Sequence, residues 1–286
     1  MNDMDPKLNT STLEWMAAYE AHAKRHVVKV GDYEVVWRQF GQGEPLALFH
    51  GGHGSWMHWA RNIDALAEEY SLWLPNLPGY GDSSTPKFED FTSLIDVTLG
   101  SMDQLFGSAL AINLCGFSFG GLVAANLAAR RPAVKKLALL GPGGHGGPRR
   151  PRGKLQNWKT AESDVQVIEA MRHNLWVHML YADEQIDPLA VGIHTDSCVK
   201  TRYRSRGHSF KGDLNQALDL YQGEILFAWG EHDVTATPEV LIQTLVETRP
   251  AREHLIVRDA GHWVQYEAAE AINQVLIEWF SRGQKG

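Results

Sequence analysis

Ala111-Ile112-Asn113-Leu114-Cys115-Gly116-Phe117-Ser118-Phe119-Gly120-Gly121-Leu122-Val123-Ala124-Ala125-Asn126-Leu127-Ala128-Ala129 decides the fold. An apolar run opens it, a glycine-flanked corner interrupts it, and an Ala/Leu-rich run with helical composition closes it. The spacing Gly116-x-Ser118-x-Gly120 predicts a strand, a tight turn and a helix. The serine sits at the corner, with its hydroxyl pushed out of the sheet toward backbone N–H groups and the positive end of a helix dipole. Such a corner suits a nucleophile, and the rest of the chain must then supply a base, an acid and donors for an oxyanion.

Working outward, short apolar runs alternate with helical patterns. Before the corner, His26–Val30 and Tyr33–Phe40 flank Gly31-Asp32 as a hairpin, Pro45–Phe49 reads as a strand covered on both faces, and Tyr70–Pro75 reads as the next strand. Helices are predicted over about 59–69 and 91–107. After the corner, Val134–Leu140, Glu224–Trp229 and His254–Val257 read as strands, with helices over Pro238–Glu247 and Ala268–Phe280. Such alternation predicts an α/β fold with a mostly parallel sheet, right-handed crossovers and a site at the carboxyl ends of the strands. Between Pro142 and about Gln222 the strands stop. Helical patterns after Ser163 and after Asp187-Pro188 make this an inserted helical cap. The organisation read from the sequence is an N-terminal helical arm (1–26), a core (27–141 and 222–286) and a cap (142–221). The apolar stripe of the arm, with Leu13 and Met16, is free to pack on its own subunit or on a neighbour, as is the cap.

Bulk properties narrow the classes. The chain has 286 residues, 44% of them hydrophobic, enough for a full core. A net charge of −7 argues against nucleic-acid binding. No apolar run approaches the length of a membrane span. The basic cluster Arg149-Arg150-Pro151-Arg152-Gly153-Lys154 reads as a solvated loop. Two cysteines, Cys115 and Cys198, make no disulfide framework and stand at no metal-ligand spacing, which leads us to expect a reducing, cytoplasmic compartment and no metal.

Two loops on the predicted site edge carry chemistry. Gly230-Glu231-His232-Asp233 follows one strand and Asp259-Ala260-Gly261-His262-Trp263 follows the next. A serine hydroxyl needs an imidazole to take its proton, and the imidazole needs a carboxylate to fix its tautomer. The chain order Ser118, Asp233, His262 fits that division of labour. Glu231 is a rival acid and His254 a rival base, while Asp82 reads as a carboxylate that stabilises a turn. In His50-Gly51-Gly52-His53-Gly54, glycines allow close backbone approach. The amides of Gly52 and Phe119 are the expected oxyanion donors, with His53 as the alternative to Gly52.

With these residues in view, the chain resembles the α/β-hydrolase superfamily. The resemblance rests on Phe49-His50-Gly51-Gly52, Leu77-Pro78-Gly79-Tyr80-Gly81-Asp82-Ser83, the Ser118 corner, Trp229-Gly230-Glu231-His232-Asp233 and Gly261-His262-Trp263. It implies an eight-stranded sheet with a helical cap, no cofactor, and hydrolysis through a covalent intermediate on Ser118. A serine nucleophile sets it apart from the epoxide hydrolases and haloalkane dehalogenases. Within the superfamily, Gly141-Pro142-Gly143-Gly144 and the run from Gly261 to Glu267 are similar to those of the meta-cleavage-product hydrolases. Those enzymes cleave a carbon–carbon bond and hold the substrate carboxylate with a cap arginine. That likeness makes Arg202 a candidate, with Arg204 and Arg206 beside it. Phe117 stands where that family usually has asparagine, and suits the apolar acyl pocket of an esterase. Proline iminopeptidases share a similar loop at 50–54, with proline at the place of His53. The reading is a serine hydrolase of a small, largely apolar ester or related acyl compound, with His53, Phe117, Trp263 and Arg202 as substrate-binding candidates. The alternatives are a carbon–carbon hydrolase and a ligand-binding signalling protein on the same scaffold.

Overall fold

The computed structural model describes residues 10–283 except 88, 89, 212 and 248. Eight strands form one sheet: β1 (Lys24–Val30), β2 (Tyr33–Phe40), β3 (Glu44–Phe49), β4 (Tyr70–Asn76), β5 (Ile112–Phe117), β6 (Val134–Leu140), β7 (Glu224–Gly230) and β8 (Arg252–Val257). Their order is β1-β2-β4-β3-β5-β6-β7-β8, antiparallel at β1/β2 and β2/β4 and parallel from β4 onward. The helices are α1 (Thr10–His22), α2 (Ile63–Ala67), α3 (Phe91–Phe106), α4 (Phe119–Arg130), α5 (Asp164–His178), α6 (Pro188–Val199), α7 (Arg206–Phe210), α8 (Leu214–Leu220), α9 (Pro238–Leu245), α10 (Val264–Glu267) and α11 (Ala269–Ser281).

The period of two in each strand divides the core. Leu46 and Leu48 of β3, with Cys115 and Phe117 of β5, face the α2, α11 and cap side. Ala47 and Phe49, with Ile112 and Leu114, face the side of α3, α4, α8 and α9. Both faces are covered, which is why the parallel strands read as continuous apolar runs rather than alternating ones.

Three boundaries differ from those read in the sequence. The cap ends before α8: Leu214, Ala217 and Leu218 join the core cluster that holds Leu122, Val123 and Ala125 of α4, so α8 is a layer helix of the core. Amphipathic periodicity alone does not distinguish a cap helix from a core helix. The helix expected over 59–69 is a 3-10 turn at Trp56–Trp59 followed by the short α2. Between them Asn62 sends its side chain to Gln265 and Asn273 near the C-terminus. The arm gives way to β1 at Lys24, two residues before the strand expected from His26. It packs on its own subunit: Met16 is buried, the Thr12 hydroxyl donates to the Pro188 carbonyl at the start of α6, and Glu20 pairs with Arg38 of β2. Leu13, read as part of the stripe, faces outward. Among the described residues no helix is long and apolar enough to cross a membrane.

Candidate active site

The corner after β5 is built as its glycines predict. Ser118 has φ 53° and ψ −117°, a left-handed backbone that a non-glycine residue adopts only where its surroundings hold it. Here they do. Its N–H donates to the Leu140 carbonyl of β6 at 2.9 Å, and its own carbonyl accepts from Gly121 at 2.9 Å and Gly143 at 2.8 Å. Gly120 has no alternative, because a Cβ there would run into the carbonyl oxygens of Phe49 and His50.

Loops from three strand ends converge on that serine. Ser118 Oγ lies 2.9 Å from His262 Nε2, and His262 Nδ1 lies 2.9 Å from Asp233 Oδ2. The natural assignment has the serine hydroxyl donating to Nε2 and Nδ1–H donating to the carboxylate. Asp233 is fully buried, and its other oxygen accepts the Thr235 amide at 2.7 Å. Burial alone would raise its pKa; the His262 ring and the Thr235 hydrogen bonds outweigh burial and hold the carboxyl below the usual range. The Thr235 hydroxyl also stands 3.0 Å from His262 Nδ1. Glu231 and His254 lie elsewhere: the first takes the Asp259 amide, and the second is exposed on β8. Asp82 anchors a turn, receiving Arg38, Arg25 and the Asn76 amide.

The glycine loop after β3 is locked by two buried histidines. His50 Nδ1 donates to the Gly51 carbonyl at 2.8 Å, and its Nε2 accepts the Leu77 amide at 3.0 Å. The Gly51 amide donates to His58 Nδ1 at 3.2 Å, which leaves Gly52 as the first amide of the loop available to a ligand. The Phe119 amide opens α4 and so has no acceptor within its helix. The Phe119 side chain turns away to pack near Tyr80, Phe91 and Tyr203.

Ser118, His262, Gly52, His53 and Phe117 line one cavity of about 500 Å³ beneath the cap. Phe117 presents a fully buried ring 4.9 Å from the His262 ring. Two expected contacts are absent from that lining. Trp263 is fully buried behind the site, stacked on Tyr266 and bonded to the His58 carbonyl. Arg202 lies outside it, donating to the carbonyls of Gly81 at 2.9 Å and Ser83 at 2.7 Å. The cavity instead receives Arg149, Arg152, Arg204 and Arg206. Arg149 and Arg152 belong to the loop read as solvated, and both line the cavity mouth because the chain folds back over the site between Gly144 and α5. Ser205, His178 and His194, which carried no sequence signal, also line it, as do Trp158 and Met179. Met171 is cap core, and Trp176 is exposed.

A sheet of this topology with a serine corner at its centre is the architecture of a hydrolase. The chain matches the alpha/beta hydrolase fold family over residues 44–197, and it belongs to that family. It is 26% identical over 272 residues to a 2-hydroxy-6-oxo-6-phenylhexa-2,4-dienoate hydrolase of Burkholderia cepacia, covering 89% of this chain and 93% of that one. Among solved structures it is similar in fold to the naproxen esterase of Bacillus subtilis (TM-score 0.74, 19% identity, 96% of this chain and 100% of that one). It is likewise similar to a meta-cleavage product hydrolase of Pseudomonas fluorescens IP01 (TM-score 0.70, 21% identity, 90% of this chain and 97% of that one).

Proposed function

We propose that the protein is a serine hydrolase that cleaves a small acyl compound through an acyl-enzyme on Ser118. The observation that carries this is the continuous chain of hydrogen bonds Ser118–His262–Asp233, at 2.9 Å each, opening on a cavity. As the Ser118 oxygen attacks the acyl carbon, His262 Nε2 takes its proton. Asp233 stabilises the resulting imidazolium, and the amides of Gly52 and Phe119 receive the negative charge on the acyl oxygen. His262 then gives the proton to the leaving group. A water, deprotonated by the same imidazole, attacks the acyl carbon, and the acid departs with Ser118 restored. Phe117, Met179, Leu155 and Trp158 supply apolar wall for the acyl portion, which supports an ester as the substrate.

A second reading, hydrolysis of a carbon–carbon bond, is supported by the Burkholderia cepacia relative, whose name is that of a dienoate hydrolase. Both readings share the nucleophile. Labelling with a fluorophosphonate tests it: the wild-type protein is expected to be modified at Ser118 and the Ser118→Ala variant to be inert. An unlabelled wild-type protein would point instead to a ligand-binding protein on this scaffold. Comparing nitrophenyl esters with a dienoate ring-cleavage product separates the two reactions. A specificity constant about a hundredfold higher on the dienoate would replace the ester reading.

A further inference from the structure

The mouth of the cavity is cationic in a chain whose net charge is −7. Four arginines line it, Arg149, Arg152, Arg204 and Arg206, and no aspartate or glutamate does. Elsewhere the chain pairs arginines with carboxylates, as Arg38 with Glu20 and Asp82, and Arg61 with Asp187. At the mouth it does not. Arg149 donates to the Ser209 carbonyl at 2.7 Å, and Arg152 donates to the His178 ring at 2.6 Å. Among the described residues none of the four has a carboxylate partner. Three of these arginines also crowd together. The guanidinium carbons of Arg149 and Arg206 lie 3.9 and 5.6 Å from the centre of the same Phe210 ring. Burial, followed by repulsion from Arg206, pulls Arg152 below its usual pKa. Arg149 is also held below its usual value, first by burial; the buried Asp233 carboxylate opposes the shift, and Arg152 and Arg206 add to it.

Like charges gathered with no carboxylate in ion-pair contact favour an anionic ligand among them. A single carboxylate carries one charge on two oxygens, and leaves part of this cluster unneutralised. A phosphate monoester carries close to two charges near neutral pH on three terminal oxygens, and guanidinium forks match those oxygens in pairs. We propose that Arg149, Arg152 and Arg206 form a subsite for a phosphate dianion, so that the substrate is an acyl compound carrying a phosphate group remote from the bond cleaved. The apolar wall takes the acyl part toward Ser118, and the phosphate stays at the partly solvated mouth. This rests on the serine-hydrolase reading for the reaction, but not for the binding.

The test is calorimetric titration of the Ser118→Ala protein with phenyl phosphate and with benzoate, at low ionic strength. Phenyl phosphate is expected to bind roughly tenfold or more tighter than benzoate. In Arg149→Gln/Arg152→Gln/Arg206→Gln on the same background, the preference is expected to fall to about twofold or less. The single variant Arg206→Gln, at an exposed position, provides an intermediate preference if the triple variant melts early. Benzoate binding as tightly as phenyl phosphate overturns the proposal, as does a preference that survives removal of the arginines. A wild-type protein that labels at Ser118 yet shows no phosphate preference removes this subsite alone. One that binds phenyl phosphate through these arginines but does not label removes the hydrolase reading and leaves the subsite.

Discussion

The Glu267 carboxylate binds the Gly261 amide at 2.6 Å through one oxygen, while its other oxygen takes the amides of Tyr181 and Ala182 at 2.8 and 2.7 Å. One side chain thus ties the loop carrying His262 to the segment that leaves α5 in the cap. The Trp263 amide reinforces the tie by donating to the Met179 carbonyl at 2.7 Å. Glu267→Gln puts an amide donor where an acceptor is needed and leaves at least one buried N–H unmet, at a cost of about 1–3 kcal/mol. Thermal unfolding is expected to register that loss. Because the displaced loop carries His262, the base of the proposed mechanism, kcat is expected to fall about tenfold or more. A variant that melts early but turns over at the wild-type rate would show that the tie serves stability alone.

Burial holds His50 at a pKa of about 4, and it pulls His58, His145, His178 and His194 down as well. Each of these rings stays neutral in the folded chain over a range where the unfolded chain has already taken up a proton. The unfolded state therefore binds more protons as pH falls below the ordinary histidine value, and stability falls with it. Between about pH 6.5 and 4 the unfolding free energy is expected to drop more steeply than the roughly 1.4 kcal/mol per pH unit that one such group contributes. Denaturant melts at stepped pH measure this. His50→Gln is expected to flatten the slope, since one of the titrating groups is gone.

Arg202 offers the opposite test, that of a residue whose type suggested substrate binding and whose place denies it. It braces the turn containing Gly81 and Ser83, and its backbone amide donates to Gly79 at 2.8 Å. Arg202→Ala is expected to cost about 1 kcal/mol of stability. It should leave the ratio of specificity constants for charged and neutral esters unchanged. A selective loss on carboxylate-bearing substrates would return Arg202 to the site.

Why Ser118 lies beside His262 on the cavity while Arg202 lies outside it is a matter of range. The residues at Ser118, Asp233 and His262 each sit just past a strand, where period, turn chemistry and chain order are local signals, and parallel pairing then fixes which edge they share. The same logic made the eight strands legible. The cap obeys no such rule. Arg149 and Arg152 come to the same cavity as Arg206 of α7 through a loop without regular structure, and neither their spacing nor their composition encodes that path. α8 shows the same limit, since nothing in the segment read as cap up to 221 marks residues 214–220 as a helix of the core layer. Trp263 follows His262 in sequence yet does not line the cavity, because its ring packs on Tyr266 and donates to the His58 carbonyl.

The loop opposite the serine gives the sharpest test of the proposed oxyanion donors. A Cβ on Gly52 would stand 2.6 Å from the Ser205 hydroxyl oxygen and 3.6 Å from the Ser205 Cβ. Ser205 is buried at the cap edge, with only 3% of its surface exposed, so it has little room to retreat. Gly52→Ala is then expected to push the loop, and with it the Gly52 amide, away from the acyl oxygen. Losing one such donor costs about a hundred- to a thousandfold in kcat, and that is the fall expected. Ser205→Ala removes the oxygen that the new methyl group meets, and the remaining separation is ordinary van der Waals contact. The double variant Gly52→Ala/Ser205→Ala is therefore expected to recover most of the lost rate, while Ser205→Ala alone changes kcat by about threefold or less. Steady-state rates on one nitrophenyl ester, measured across the four proteins, decide it. Additive losses, with no recovery in the double variant, would mean that Gly52 acts through something other than its fit beneath Ser205.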